Sequence, residues 1–212
     1  MTASIVTISS QTGSGGAAIA RTVAEKLRFR YYDWEIISQA AQAAGVSPEV
    51  LAATAERVPT FLERMLRRLA DVTGESEDVP AMPQPARASM LTSDDYRQFI
   101  EQVVRELAKQ GDAVIVGHAG QAILKNHAGV LKVLVRGSAE KRAQRLAAGQ
   151  GINAAQARAT IDQSDRQRTE FFKRAYHMDW LDASCYDLTI NADQISPDLA
   201  ADMTVAAARE VP

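Results

Sequence analysis

Three closely spaced glycines near the N-terminus are the first residues whose arrangement suggests chemistry. They follow the short apolar run 5–9 and precede a segment whose apolar residues recur at helical spacing. Backbone without side chains can approach an anion closely, and the N–H groups at a helix start converge on negative charge. The loop therefore predicts a phosphate cradle formed by Ser10, Gln11, Thr12, Gly13, Ser14, Gly15 and Gly16. A tight strand-to-helix turn without a ligand is the alternative.

Two glycine fingerprints compete for this loop. Residues 13–18 satisfy G-x-G-x-x-A, and Asp33 stands eighteen residues after Gly15, near the place of the ribose-binding acid in a dinucleotide fold. That fingerprint predicts an NAD(P)-dependent oxidoreductase. However, three further residues separate the strand from Gly13, and no Tyr-x-x-x-Lys pair follows any of the five tyrosines. We therefore rank this hypothesis below a nucleotide-phosphate binder.

The second fingerprint, G-x-x-x-x-G-K-[ST], matches the loop only in length and position. Its lysine falls on Gly16, and its metal-binding hydroxyl falls on Ala17. The loop thus lacks a cation and a hydroxyl at these two places. Positive charge must come from elsewhere in the chain.

A basic segment in the second half of the chain is the predicted source of that charge. Residues 136–174 contain nine basic and four acidic side chains, although the whole chain has a net charge of −2. Arginine forks bind phosphate oxygens, and an arginine near a transferring phosphoryl group stabilises its charge. The candidates are Asp165, Arg166 and Arg168, with Arg136, Lys173 and Arg174 as a further set. A solvated helix face is the alternative.

The elements that position these residues are short apolar strands alternating with helices. This pattern predicts an α/β fold, a parallel sheet with helices on both faces, in which ligands lie beyond the carboxyl ends of the strands. The loop 10–16, Asp33 and the pair Gly117-His118 all fall at such ends. The predicted strands are 5–9, 29–32, 113–117, 131–135 and 187–191, and residues 153–176 are predicted as one long helix or a helical pair.

Composition narrows the class of protein. The chain has 212 residues, 24 basic and 26 acidic side chains and one cysteine. These values favour a globular protein in the reducing cytoplasm and argue against a nucleic-acid coat, a disulfide framework or a membrane span. Acidic and proline-rich residues at 71–93 predict a flexible insert, and we expect a basic, lid-like segment at about 150–178.

A family resemblance emerges when the motifs are read in order. The strand and S-x-Q-x-G-S-G-G are followed by YYDWEII, VIVGHAGQAIL, LKVLVRGSAEKRAQR, DRQRTEFFKRAYHMDW and YDLTIN. Together they resemble the cytidylate kinase-like family, a branch of the P-loop nucleoside monophosphate kinases. The resemblance covers nearly the whole chain apart from the insert.

The resemblance implies a fold, an activity and a set of residues. It implies one three-layer kinase-like domain over 1–212, with a helical acceptor region and a lid. The implied reaction moves the γ-phosphoryl group of ATP to a nucleotide such as CMP, with Mg²⁺ held mainly by the nucleotide. By resemblance, residues 10–16 are the phosphate loop, Asp33, Gly117 and His118 belong to the acceptor side, and Asp165 with Arg168 match the Asp-x-x-Arg of the lid. The expected partners are small-molecule nucleotides, with a homodimer left open, and neither a nucleic-acid polymer nor a membrane.

Three departures from the family pattern remove cations. Members commonly have arginine after the first serine, after the last loop glycine and after the glycine of the third strand, where this chain has Ser10, Ala17 and His118. Each lost contact to phosphate removes roughly 1.5–3 kcal/mol of binding. A nucleotide-binding regulatory protein that has lost phosphoryl transfer is therefore the second hypothesis.

Overall fold

The computed structural model of the chain describes residues 3–33, 36–37 and 94–211. The chain forms two compact units, one of residues 1–31 with 111–212 and the other of residues 32–110. Most of the predicted acceptor-side helices and the whole predicted insert at 71–93 lie outside the described residues. The expectation of a single domain over 1–212 stays a prediction.

A five-stranded sheet organises the first unit, with β1 (Ile5–Ser10) at its centre. The other strands are β2 (Arg30–Tyr32), β3 (Ala113–Val116), β4 (Val130–Arg136) and β5 (Leu188–Asn191). Their order is β2-β3-β1-β4-β5, and β1 pairs in parallel with both β3 and β4. The predicted α/β class is confirmed. The order also differs from the 3-2-1-4-5 order typical of dinucleotide-binding folds.

Helices connect the strands. They are α1 (Gly16–Leu27), α2 (Asp94–Gln110), α3 (Gly120–Ile123), α4 (Ala139–Gln150), α5 (Ala154–Tyr176) and α6 (Pro197–Glu210). Serine caps begin two of these helices, because the side chains of Ser138 and Ser196 accept hydrogen bonds from the first turns of α4 and α6. Residues 154–176 form one continuous helix rather than a pair.

Among the described residues, two apolar clusters pack four helices of the first unit, namely α1, α4, α5 and α6. In the larger one, α1 and α6 contribute Ile19, Val23 and Val205, which are buried with Val6 and Val133 of the sheet. The smaller cluster joins α4 to α5 through Ala143, Ala157 and Ile161. Since α4 follows β4 directly, this second cluster sets the position of α5 relative to the sheet.

The second unit includes α2, which has a strongly apolar face. Phe99, Val103, Val104 and Leu107 are all buried. Among the described helices of both units, none combines the length and apolar character needed to cross a membrane.

Candidate functional site

The glycine loop connects the central strand to α1, as predicted. Two of its residues have left-handed backbone, Gly13 with φ of +79° and Gly15 with φ of +82°. The N–H of Ser14 donates to the carbonyl of Gln11 at 3.0 Å, which closes the turn. Gly15 is the N-cap of α1 and provides no side chain to cap it, and the first turn carries no acidic residue. The start of α1 therefore keeps its partial positive charge.

Several amides of this loop donate to no acceptor in the part of the chain that the structure describes. Among the described residues, nothing accepts a hydrogen bond from the N–H groups of Gly13, Gly15, Gly16 and Ala17. Gly15 and Ala17 are also exposed. Backbone donors that are not satisfied internally require water or a ligand. The loop can thus offer convergent donors to an anion.

Close packing leaves no room at position 16 for the lysine of the G-x-x-x-x-G-K-[ST] fingerprint. A Cβ at Gly16 would lie 2.2 Å from the Cβ of Ser10, and a Cβ at Gly13 would lie 2.4 Å from the carbonyl oxygen of Arg142. Both distances are far below van der Waals contact. A lysine at position 16 would therefore require the loop to move.

The structure adds a residue that sequence reasoning counted among the basic side chains but did not select, Arg142. Only 3% of its side chain is exposed. Its guanidinium donates to the carbonyls of Gly137 and Thr12 at 3.0 and 3.2 Å, and to both carboxylate oxygens of Asp165 at 2.7 and 3.2 Å. Its position beside Ala143, on the buried face of α4, was the available signal. Arg142 joins the loop, α4 and α5.

Helix α5 also contacts the loop through polar side chains. The Gln11 amide donates to Asp165 at 3.4 Å, and the hydroxyls of Thr12 and Ser164 are 2.7 Å apart. Gln11 further accepts from the N–H of Gly137 at 3.2 Å. The lid-like segment expected from the sequence thus lies directly against the predicted phosphate loop.

Arg168 brings a positive charge to the same loop. Its guanidinium donates to the carbonyl of Ser10 and lies over the ring of the buried Trp180, 5.2 Å from the centroid. Burial lowers the pKa of Arg168 below its usual value, while the Asp165 carboxylate acts in the opposite direction. Arginine nevertheless stays charged near neutral pH. Arg168 is thus one source of the cation that the loop lacks.

Four further basic residues predicted at the site are not gathered around the loop by any contact. The side chains of all four are exposed, and none has a partner among the described residues; they are Arg136, Arg166, Lys173 and Arg174. Their phosphate contacts stay predictions.

The predicted acceptor-side residues occupy two different places. Gly117 donates from its N–H to the carbonyl of Ile8 at 3.0 Å, so the turn containing His118 lies beside the end of β1. Asp33 belongs to the second unit, and its carboxylate accepts from the N–H of Ile36 at 3.0 Å. That contact has the geometry of a helix N-cap. Binding of an acceptor by these residues stays a prediction.

A buried polar cluster under the loop was not found by sequence reasoning. The Ser9 hydroxyl donates to the Gln121 side chain at 2.9 Å, and the Tyr186 hydroxyl donates to the carbonyl of Trp180 at 2.7 Å. Burial raises the pKa of Tyr186 to about 12. Through Ser9, this cluster contacts the end of β1 directly before the loop.

The described residues do not form a magnesium site of their own. No group of three or more acidic, histidine or cysteine side chains occurs among them, and Asp165 is paired with Arg142. Mg²⁺ commonly binds through substrate phosphates and few protein oxygens. That Mg²⁺ is held mainly by the nucleotide stays a prediction.

Solved structures share this fold over nearly the whole chain. An uncharacterised protein from Eubacterium ventriosum matches with a TM-score of 0.61 and 19% identity, covering 96% of this chain and 97% of that one. Shikimate kinase from Bacteroides thetaiotaomicron matches with a TM-score of 0.51 and 13% identity, covering 96% and 94%. At these identities the likeness shows the fold alone.

Sequence comparisons give the family. The cytidylate kinase of Methanopyrus kandleri is 24% identical over 203 residues, covering 92% of this chain and 87% of the relative. That of Pyrococcus horikoshii is 26% identical over 195 residues, covering 92% and 82%. The model of the cytidylate kinase-like family matches residues 5–194. The chain, with its glycine loop, central strand and arginine-bearing helix, therefore belongs to the cytidylate kinase-like family.

Proposed function

We propose that the protein binds ATP through the loop 10–16 and transfers its γ-phosphoryl group to a nucleoside monophosphate of the cytidine type. The observation that carries the proposal is the set of loop amides that no described residue accepts from, with the Arg168 guanidinium against the same loop. The similarity to cytidylate kinases supports the choice of acceptor.

Phosphoryl transfer suits such a site because its catalysis depends on positioning and charge. The loop amides would hold the phosphate chain, and Arg168 would place a cation near it. Mg²⁺, carried by the nucleotide, would neutralise phosphate charge. Asp165 would act through Arg142 and Gln11, which it contacts, rather than on the metal.

A nucleotide-binding protein without phosphoryl transfer is the second candidate. Two observations favour it. Arg168 is engaged with the carbonyl of Ser10 and with Trp180, and the chain has Ser10, Ala17 and His118 where the family commonly has arginine. Such a protein would bind ATP and leave it intact.

Turnover and binding measured together separate the two candidates. Purified protein with Mg-ATP is given CMP, dCMP, UMP or AMP, and ADP release is followed beside calorimetric titration of ATP. The kinase proposal expects ADP release that depends on the acceptor and is fastest with a cytidine nucleotide. ATP binding without turnover on any of the four acceptors would establish the second candidate instead, and absence of ATP binding would contradict both.

A further inference from the structure

The peptide between Thr12 and Gly13 has a hydrogen-bond partner at its carbonyl and, among the described residues, none at its N–H. Arg142 donates from Nη1 to the carbonyl of Thr12 at 3.2 Å. A trans peptide is planar, with its C=O and N–H pointing in opposite directions. The N–H of Gly13 therefore points away from Arg142, and no described residue accepts from it.

In the peptide between Ser10 and Gln11 an arginine likewise binds the carbonyl, but here the N–H also has a partner. Arg168 donates to the carbonyl of Ser10, and the N–H of Gln11 points the other way, to the carbonyl of Val135 at 3.0 Å. That N–H is therefore already hydrogen-bonded to strand β4. At Gly13 the corresponding N–H stays available for a ligand.

Arg142 is itself fixed, so it can hold the peptide in one orientation. Its guanidinium also donates to the carbonyl of Gly137 and to both oxygens of Asp165, and only 3% of the side chain is exposed. Its own carbonyl packs against Gly13, leaving no room for a Cβ there. Freed from Arg142, a glycine peptide would turn over easily, because glycine accepts both signs of φ.

We propose that Arg142 is a positioning residue, which presets the Gly13 amide as a hydrogen-bond donor to a polyphosphate oxygen. The inference rests on the proposed function, since it assumes that the loop binds a polyphosphate. Arg142 acts through the backbone and does not touch the ligand. A lysine could not replace it, because one ammonium group cannot serve three separated acceptors as a planar guanidinium does.

Hydrogen exchange of the unaltered protein is the first test. Backbone amide exchange is measured by NMR with and without inorganic triphosphate, which has no base or sugar. We expect the Gly13 amide to exchange at least tenfold more slowly with triphosphate. Protection of Gly15 and Gly16 without Gly13 would overturn this inference and leave the proposed function standing. Absence of any binding would overturn both.

A lysine substitution at Arg142 is the second test, with the same substitution at Arg158 as control. Arg158 also pairs with an aspartate, Asp162 at 3.0 Å, but this pair is exposed on α5. We expect Arg142→Lys to weaken triphosphate binding at least tenfold and to remove the protection of Gly13, while Arg158→Lys changes neither.

A purely structural role would give a different result. Arg142→Lys would then lower the melting temperature while the folded protein bound triphosphate with unchanged affinity and kept Gly13 protected, and that would overturn the inference. If the variant does not fold, the exchange measurement on the unaltered protein decides alone.

Discussion

At the scale of single residues, the loop requires glycines, which have no side chain, as well as the polar side chains that contact it. Gly16 lies so close to Ser10 that even a methyl group does not fit. The same closeness excludes the lysine that many phosphate loops carry at this place. The Arg168 guanidinium contacts the loop from α5, so the loop lies against a cation from a distant part of the chain.

Replacing Gly16 with alanine tests this packing. Because the new Cβ would overlap Ser10, we expect Gly16→Ala to shift the loop and weaken ATP binding about tenfold, equal to ~1.4 kcal/mol. Calorimetric titration of ATP measures the change. Gly149→Ala is the control, since nothing lies within 4 Å of a Cβ there. In α4 that alanine should raise the free energy of unfolding by roughly 0.5–1 kcal/mol and leave ATP affinity unchanged.

The buried Tyr186 predicts a loss of stability at alkaline pH. Its folded-state pKa of about 12 lies above the ordinary value of 10.0. Stability from this residue is therefore complete below pH 10 and falls between pH 10 and about 12, as the unfolded chain loses its proton first. We expect a decrease of roughly 1.4 kcal/mol between pH 9 and pH 11.

Denaturant unfolding at the two pH values measures this effect, with Tyr186→Phe as reference. The variant loses the hydrogen bond to Trp180, about 1 kcal/mol, at every pH. Its additional decrease at pH 11 should be smaller than that of the parent by the amount assigned to Tyr186. Equal decreases in both proteins would show that Tyr186 ionises normally.

Part of this detail is predictable from the sequence. The position of the loop follows from strand and helix periodicity, whereas Arg168 is indicated by the density of basic residues and by the Asp-x-x-Arg that the family resemblance implies. The position of Arg142 beside Ala143 indicates burial, but it does not specify which groups Arg142 contacts. Burial of Arg142 depends on how α4 meets α5, and no motif encodes that contact.

At the scale of elements, α5 matters most, because it brings Asp165 and Arg168 to the loop. It begins with a capping box in which the Asn153 side chain accepts from the N–H of Gln156 and the Gln156 side chain accepts from the N–H of Asn153. The caps at Ser138 and Ser196 are of a kind that the sequence can indicate, since each is a serine directly before a helical pattern. The sequence does not decide between one helix and a helical pair over residues 154–176, although this stretch contains neither glycine nor proline.

Loss of this cap should be measurable. We expect Asn153→Ala to lower the free energy of unfolding by about 1 kcal/mol. The melting temperature should fall by roughly 2–4 °C. Gln163→Ala, at an exposed position within α5, is the control and should change stability by less than about 0.5 kcal/mol. Equal losses in both variants would contradict the role of the capping box.

At the scale of the whole molecule, alternation of apolar strands and amphipathic helices was enough to predict the α/β class. It was not enough to predict the order β2-β3-β1-β4-β5, which separates this sheet from the dinucleotide-binding arrangement. Strand order depends on which crossovers skip a neighbour, and local sequence carries little of that information. The G-x-G-x-x-A match was therefore ambiguous until the topology was known.

Ligand-dependent melting distinguishes the remaining functional classes. A ligand that binds only the folded state stabilises it by about 2.7 kcal/mol at one hundred times its dissociation constant. For a chain of this size we expect ATP to raise the melting temperature by roughly 5–10 °C. NADPH should have no effect. A shift with NADPH alone would revive the oxidoreductase hypothesis.

The stacking of Arg168 on Trp180 makes one part of the molecule optically readable. The chain has only two tryptophans, so Trp34→Phe would leave one indole emitter. Its fluorescence would then depend on whether a guanidinium covers its face. Release of Arg168 from the indole when a ligand binds would change the emission, and its speed could be followed by stopped flow without an attached dye.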